Sequence, residues 1–417
     1  LTHGHASSEW RQNGHLVALT AIGLTFAPTT LPVYTMGVFV GPFEQAFGWG
    51  RGAIQTAMLF STGLAVFCAP VAGDMIRRWG IRSTILPGIV GLSLACLLGA
   101  MMGGALWQLY AVYALMSLLG AGAGVVGWTS LIAGRFDKAR GLALGIGLSG
   151  TGLCSVMMPQ IAAAAMADWG WRGAYVALAF YGVIIVLPLS FLLLPRDRTQ
   201  TAQAARRDTA KPAPLAGMDL AEAVRSRRFW LLGFSTLCIF TVIGGIIPNL
   251  VPAFTDDGLS MQQAASIMSI FGMATIGGRI AVGALVDRVW APAVAAVVMV
   301  PAALGCVLIA VGSSFAGYVT AAVLLGIATG TELDVLGFLV ARYFGIADYA
   351  RIYSRAYAFV AASAGVSPLI FGHLFDITGS YRLALLISAG LLVIGGSSLL
   401  LLGRYPDWRR EANSSAA

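Results

Sequence analysis

Charged side chains are scarce in this sequence. Asp, Glu, Lys and Arg make up 11% of its 417 residues, and the mean hydropathy is +0.81. A soluble chain of this length needs far more polar surface, so a water-soluble globular protein is excluded. Cysteine and histidine are also few. Cys68, Cys96, Cys154, Cys238 and Cys306 all fall in apolar stretches, where they read as small packing residues without a disulfide. His3, His5 and His15 lie in the N-terminal segment and His373 stands alone, so no zinc cluster or catalytic triad is expected. Gly145-Ile-Gly147-Leu-Ser-Gly150 has the GxGxxG spacing, but it lies in an apolar helical run with no preceding strand, which argues against a nucleotide site. Gly120 with Gly124 and Gly141 with Gly145 have the spacing that lets helices approach closely. Neither an enzyme nor a cofactor is expected.

What is present is apolar length. A helix needs about 20 apolar residues to cross the hydrocarbon. Twelve stretches qualify, near 16–40, 52–72, 84–103, 108–133, 141–165, 174–194, 229–254, 262–286, 291–311, 316–340, 353–375 and 383–403. The fold class expected is an all-α membrane protein. Positive charge is unequally shared between alternate loops. Counting residues 1–15 as the first loop, that side collects 21 of the 26 Lys and Arg, among them eight in 195–228. The opposite side has three, Arg51, Arg172 and Arg382. Basic loops stay cytoplasmic, so both termini are placed in the cytoplasm. The net charge of +8 then serves anchoring and topology, with no nucleic-acid partner.

The polar stretch 195–228 separates six spans from six. The halves repeat at one offset. Pro42 and Pro252, Gly48 and Gly258, Arg78 and Arg288, and Arg172 and Arg382 are each 210 residues apart. The organisation expected is an N-terminal six-helix bundle (1–194), a cytoplasmic linker (195–228) and a C-terminal six-helix bundle (229–417). Six-plus-six parallel halves are a transporter architecture.

The loop sequences sharpen this. Gly283-Ala-Leu-Val-Asp287-Arg288 resembles the loop between helices 8 and 9 of the major facilitator superfamily. Gly73-Asp74-Met-Ile-Arg77-Arg78-Trp-Gly80-Ile-Arg82 is similar to its counterpart between helices 2 and 3. Arg77 stands where the family usually has Asp, and Asp74 is the candidate substitute. Tyr34-Thr-Met-Gly37-Val-Phe39, Phe47-Gly-Trp49-Gly-Arg51, Phe136-Asp-Lys138-Ala-Arg140, Thr255-Asp-Asp-Gly258, Gly278-Arg279 and Glu332-Leu-Asp334 resemble the bacterial monocarboxylate and oxalate/formate transporter branch. The resemblance implies a secondary transporter working by alternating access. It also implies a cytoplasmic gate built from Asp74, Arg78, Arg82, Asp287 and Arg288.

Ionisable groups inside spans are costly and usually functional. Arg279 lies in the eighth span, and Glu332 and Asp334 in the tenth; at the 210 offset the N-terminal half has Ala69, Gly122 and Gly124. A guanidinium can hold a carboxylate through two charge-assisted hydrogen bonds, and the resemblance implies that role for Arg279. A static pair with one of the acids is the competing reading. Glu332 and Asp334 point about 200° apart on a helix, so one can line a path while the other contacts a neighbour. Proton carriage and a structural link both stay open for them. Two departures from the branch stand out. No lysine lies near Tyr34, and Ala361-Ala-Ser363-Ala replaces a second cation in the eleventh span. One intramembrane cation argues for one substrate carboxylate. Tyr34, Trp128, Thr129, Asn249, Tyr357 and Ser363 complete the candidate substrate site, with Asn249 alternatively in a gate. The expectation is a monomeric carrier in membrane lipid that moves a small organic anion with protons. Carboxylate exchange, sodium coupling, an aromatic or neutral substrate, and a transporter-like receptor are the alternatives.

Overall fold

The computed structural model describes residues 2–133, 135–136, 140–195, 217–286, 288–312, 314–345 and 348–406. Among the described residues, eleven stretches are long and apolar enough to cross a membrane, and the only extended pairing is an isolated bridge between Gly217 and Gly345. The protein is therefore an all-helical, multi-pass membrane protein. Eleven differs from twelve because Leu142–Leu193 is one 52-residue stretch. Within it Gly170 has φ 66° and ψ −172°. That conformation suits glycine and interrupts the helix where a polar turn was expected.

Proline and glycine also shape the first four spans. The first helix, α1 (Thr2–Thr25), begins well before the apolar run, so residues expected as a loop are helical. Its outlying Trp10 packs edge-on against Phe136, with ring centroids 5.4 Å apart. α1 then breaks before α2 (Thr30–Phe47). Pro28 has no N–H to give back to the preceding turn. Pro32, four residues on, cannot donate to the Pro28 carbonyl, and Ser61 Oγ does so instead at 3.2 Å. Ser61 lies in a π turn (Leu59–Gly63) between α3 (Arg51–Met58) and α4 (Leu64–Trp79). Its own carbonyl accepts from Ser117 Oγ of α6 (Leu106–Gly120). α6 passes through a 3-10 turn (Ala121–Ala123) into α7 (Val125–Ala133). A Cβ on Gly120 would lie 3.0 Å from Pro28, so the breaks of the first and fourth spans lie side by side.

The C-terminal half is more regular. α12 (Arg227–Asp256), α13 (Met261–Val286), α14 (Ala291–Ala310), α15 (Phe315–Phe344), α16 (Tyr349–Thr378) and α17 (Arg382–Leu400) each run unbroken. In the N-terminal half, α5 (Ile81–Ala100) is followed after α7 by α8 (Arg140–Leu148), α9 (Gly150–Tyr181) and α10 (Leu187–Leu193). The short α11 (Leu220–Arg225), in the segment expected as linker, starts with a capping box between Asp219 and Glu222. It is clipped to the loop after α15: Met218 N donates to Phe344 O at 2.9 Å and Leu220 N to Asp348 Oδ2 at 3.1 Å.

Candidate functional site

Glycines bring α13 against α15. A Cβ on Gly330 would lie 2.1 Å from Thr275 O, and one on Gly278 2.6 Å from the Ile327 Cα. That closeness lets Arg279 Nε donate to Gly330 O at 3.0 Å, which orients the guanidinium at mid-span. Tyr34 of α2 is 8% exposed and lies within electrostatic reach of both Arg279 and Glu332. The structure thus groups three predicted residues from the first, eighth and tenth spans.

Glu332 is buried, and neither carboxylate oxygen has a hydrogen-bond partner among the described residues. Its side chain borders a cavity of about 30 Å³ inside the C-terminal half, lined by Ser235, Thr236, Met299, Thr331 and Leu399 among others. A water needs about 10–15 Å³, so the cavity has room to hydrate the carboxyl. The Asp334 side chain lies outside the described residues.

The other predicted contacts separate. Tyr357 is 42% exposed. Its ring tilts against Tyr353, with the centroids 6.2 Å apart. Thr129 is half-buried and donates to Val125 O of its own helix at 2.8 Å. Trp128 is fully buried, donates from Nε1 to Ala123 O at 2.9 Å, and lies where a Cβ on Gly23 would clash at 2.2 Å. It packs α7 on α1. Ser363 donates to Phe359 O at 2.7 Å and is 3.3 Å from Leu237 O, facing α12. Asn249 accepts from Gln55 Nε2 at 3.1 Å, which places it in a contact between the halves.

That contact belongs to a larger seal at the arginine-poor end. Arg51, 6% exposed, gives Nε to Glu44 at 2.9 Å and both Nη groups to Asp256, at 2.5 and 2.8 Å. Nη1 also donates to the Tyr381 hydroxyl at 3.2 Å, and the guanidinium lies 3.8 Å from the Phe375 ring centroid. The Arg51 and Gly52 N–H groups donate to the two oxygens of Asp376, each at 2.8 Å, capping α3. Further along, Gln160 Nε2 donates to Ser266 and Ser269 at 3.3 and 3.2 Å, and Ser155 Oγ to Met268 O at 3.0 Å. Gly152 and Gly272 interlock below them, since a Cβ on Gly272 would lie 2.6 Å from Gly152 O.

The arginine-rich end differs. Asp74, Arg78 and Arg288 are exposed. Arg82 reaches within its own half, to Leu194 O at 3.1 Å and over the Phe191 ring at 4.6 Å. Asp287 lies outside the described residues.

A family model described as Major Facilitator Superfamily matches residues 16–332. The chain belongs to this superfamily. Among curated relatives, it is 26% identical over 373 residues to monocarboxylate transporter 11 of Homo sapiens, covering 86% of this chain and 76% of that protein. It is also 26% identical over 382 residues to monocarboxylate transporter 13 of Bos taurus, covering 89% and 85%. A solved structure of a bacterial homolog of the human lysosomal transporter Spinster, titled as inward-facing and occupied, superposes with a TM-score of 0.67. It covers 94% of this chain and 97% of that one at 16% identity, a likeness of fold. The chain is therefore a superfamily transporter for a small-molecule substrate, and not an enzyme.

Within this superfamily fold, the seal around Arg51 is the feature that sequence reasoning missed. The signal was faint but present. Glu44, Asp256 and Asp376 all lie at span ends on the face with only three cations. Acids placed there need a partner, and few cations are at hand to supply one.

Proposed function

We propose that this protein carries a small monocarboxylate across the cytoplasmic membrane by alternating access, coupled to protons. The observation that carries the reading is Arg279. It is an oriented guanidinium at mid-membrane depth in the C-terminal half, at the level of Tyr34 from the N-terminal half. Groups from both halves around one point suit a substrate that is released when the halves rock apart. In this reading Arg279 clamps the carboxylate, Tyr34 contributes a hydroxyl, and Tyr357 and Thr129 line the way in from the arginine-rich end. Trp128 and Ser363 pack helices, and Asn249 belongs to the seal. The names of the mammalian relatives support a monocarboxylate substrate.

The same reading gives twelve crossings. A helix rises about 1.5 Å per residue, so the 52-residue stretch Leu142–Leu193 is far too long for one passage through about 30 Å of hydrocarbon. The turn at Gly170 makes it two. The 21-to-3 charge division puts the arginine-rich end and both termini in the cytoplasm. Residues 1–194 and 229–417 are then the two bundles and 195–228 their cytoplasmic linker, in a monomer. The conformation described is closed outside by the Arg51 seal. Asp74, Arg78, Arg82, Asp287 and Arg288 form the complementary cytoplasmic gate, which engages when the outside opens.

Glu332 serves as the proton site. Its carboxyl is buried with no hydrogen-bond partner among the described residues, and the adjoining cavity has room for a water that could deliver or take a proton. Asp334 is the structural acid of the pair. The test is uptake of radiolabelled acetate, lactate and benzoate into proteoliposomes with and without a pH gradient. One of these acids should accumulate only with the gradient. Glu332→Gln should lose that accumulation and keep substrate-for-substrate exchange, because a neutral side chain mimics the protonated carrier. Full accumulation in Glu332→Gln would remove Glu332 from the coupling.

A further inference from the structure

The seal at the arginine-poor end already contains a carboxylate held by a guanidinium. Asp256 of α12 occupies both Nη groups of Arg51, at 2.5 and 2.8 Å. Two paired, charge-assisted bonds in one plane are the geometry in which arginine recognises any carboxylate. The remaining nitrogen, Nε, is fixed by Glu44 at 2.9 Å. Glu44 lies seven residues before Arg51, in the same half of the chain. Asp256, Tyr381 and Phe375 all come from the other half.

Parting of the halves at this end therefore divides the cluster in a defined way. Asp256, the Tyr381 hydroxyl and the Phe375 ring leave with the C-terminal half. Glu44 stays and keeps the guanidinium aimed, and the Nη edge becomes available at the mouth. We propose that this edge is an entry site for the substrate carboxylate, and that Asp256 is an intramolecular stand-in for the substrate, vacating and reclaiming the site as the mouth opens and closes.

Charge at the mouth supports this. Of the three cations at that end, Arg51 is the one buried in the seam, at 6% exposure. Arg172 is turned aside, donating to Met102 O at 3.0 Å and lying 4.1 Å from the Trp171 ring centroid. Asp376 and Asp257 are engaged elsewhere, by the α3 N–H groups and by the Tyr318 hydroxyl at 2.6 Å. Arg382 is exposed at the surface beside Tyr381, so Arg51 is the cation of this end whose fork lies in the seam between the halves. Glu44 is a positioning residue, because it acts through Arg51.

The proposal rests on the carboxylate reading of Arg279, so the test separates the two. Initial rates are measured with radiolabelled acetate, lactate and benzoate, from the outer face in intact cells and from the cytoplasmic face in inverted vesicles. Arg51→Lys keeps the charge and loses the fork. It should raise KM from the outer face about tenfold, the worth of one such contact, and leave the cytoplasmic-face KM within about twofold. Asp256→Asn removes the competitor's charge and should lower the outer-face KM. A seal with no docking role predicts otherwise, since both variants loosen the closed state and both would shift the outer-face KM in the same direction. That result would overturn the proposal. Arg279→Lys, run in parallel, should raise KM from both faces. If it changes neither face, the carboxylate reading falls, and the entry site with it.

Discussion

At mid-membrane depth, α1 stops at Thr25 and the fourth span passes through the Ala121–Ala123 turn. At the positions 210 residues later, 236–239 and 331–333, α12 and α15 run straight through. Here the C-terminal half carries Thr236, Thr331 and the buried Glu332 around a small cavity, where the N-terminal half has Phe26, Ala121 and Gly122. At positions matched by the 210 offset, the two halves are built differently. In one, backbone irregularity is absorbed by hydroxyls, Ser61 on Pro28 O and Ser117 on Ser61 O. In the other, regular backbone supports an ionisable side chain. Irregular backbone and buried charge both leave polar groups needing partners in a medium that offers none. Neither half carries both burdens at this level.

Exchanging one residue across the comparison should give the largest effect. Gly122 is the counterpart of Glu332, and a Cβ there would lie 2.1 Å from Thr84 O. Gly122→Glu adds a clash with backbone and an unpartnered acid, and should cost at least about 3 kcal/mol. Thermal unfolding in detergent should show a large fall in Tm or no folded protein. A parent-like Tm would mean that the two halves tolerate the same residues and that the contrast is superficial.

A smaller effect tests how the break is held. Ser61→Ala leaves the Pro28 carbonyl without its donor and should cost about 1 kcal/mol. Pro32→Ala supplies an N–H four residues after Pro28. In a double-mutant cycle by chemical unfolding, Ser61→Ala should cost clearly less on that background. Equal costs on both backgrounds would show that Ser61 does not replace the missing backbone bond.

Much of this was legible in the sequence because hydropathy and charge are one-dimensional signals. Span positions, the 210 offset and the cation at 279 needed no knowledge of neighbours. The repeat also pointed to Gly122 against Glu332. Facing was harder to read. Trp128 and Ser363 are polar-tipped residues in the right spans, but a rotation about the helix axis decides whether they meet the cavity or another helix. Close approach at Gly23 and α12 made that decision. The Arg51 seal was less legible still, because it joins α2, α3, α12 and α16 with the Tyr381 corner, and no local pattern announces such a convergence. The helix breaks were signalled by Pro28 and by Gly120 and Gly124. Continuous apolar runs at 16–40 and 108–133 masked them, since hydropathy does not register a lost hydrogen bond.

The central claim is that the regular, charged half supplies the clamp for a substrate carboxylate at Arg279. Isothermal calorimetry on purified Arg279→Ala in detergent tests it most directly, using whichever of acetate, lactate or benzoate the parent binds. The account predicts that binding heat is lost while the variant keeps the parent's Tm to within a few degrees. An unchanged Kd in a folded Arg279→Ala protein would contradict it.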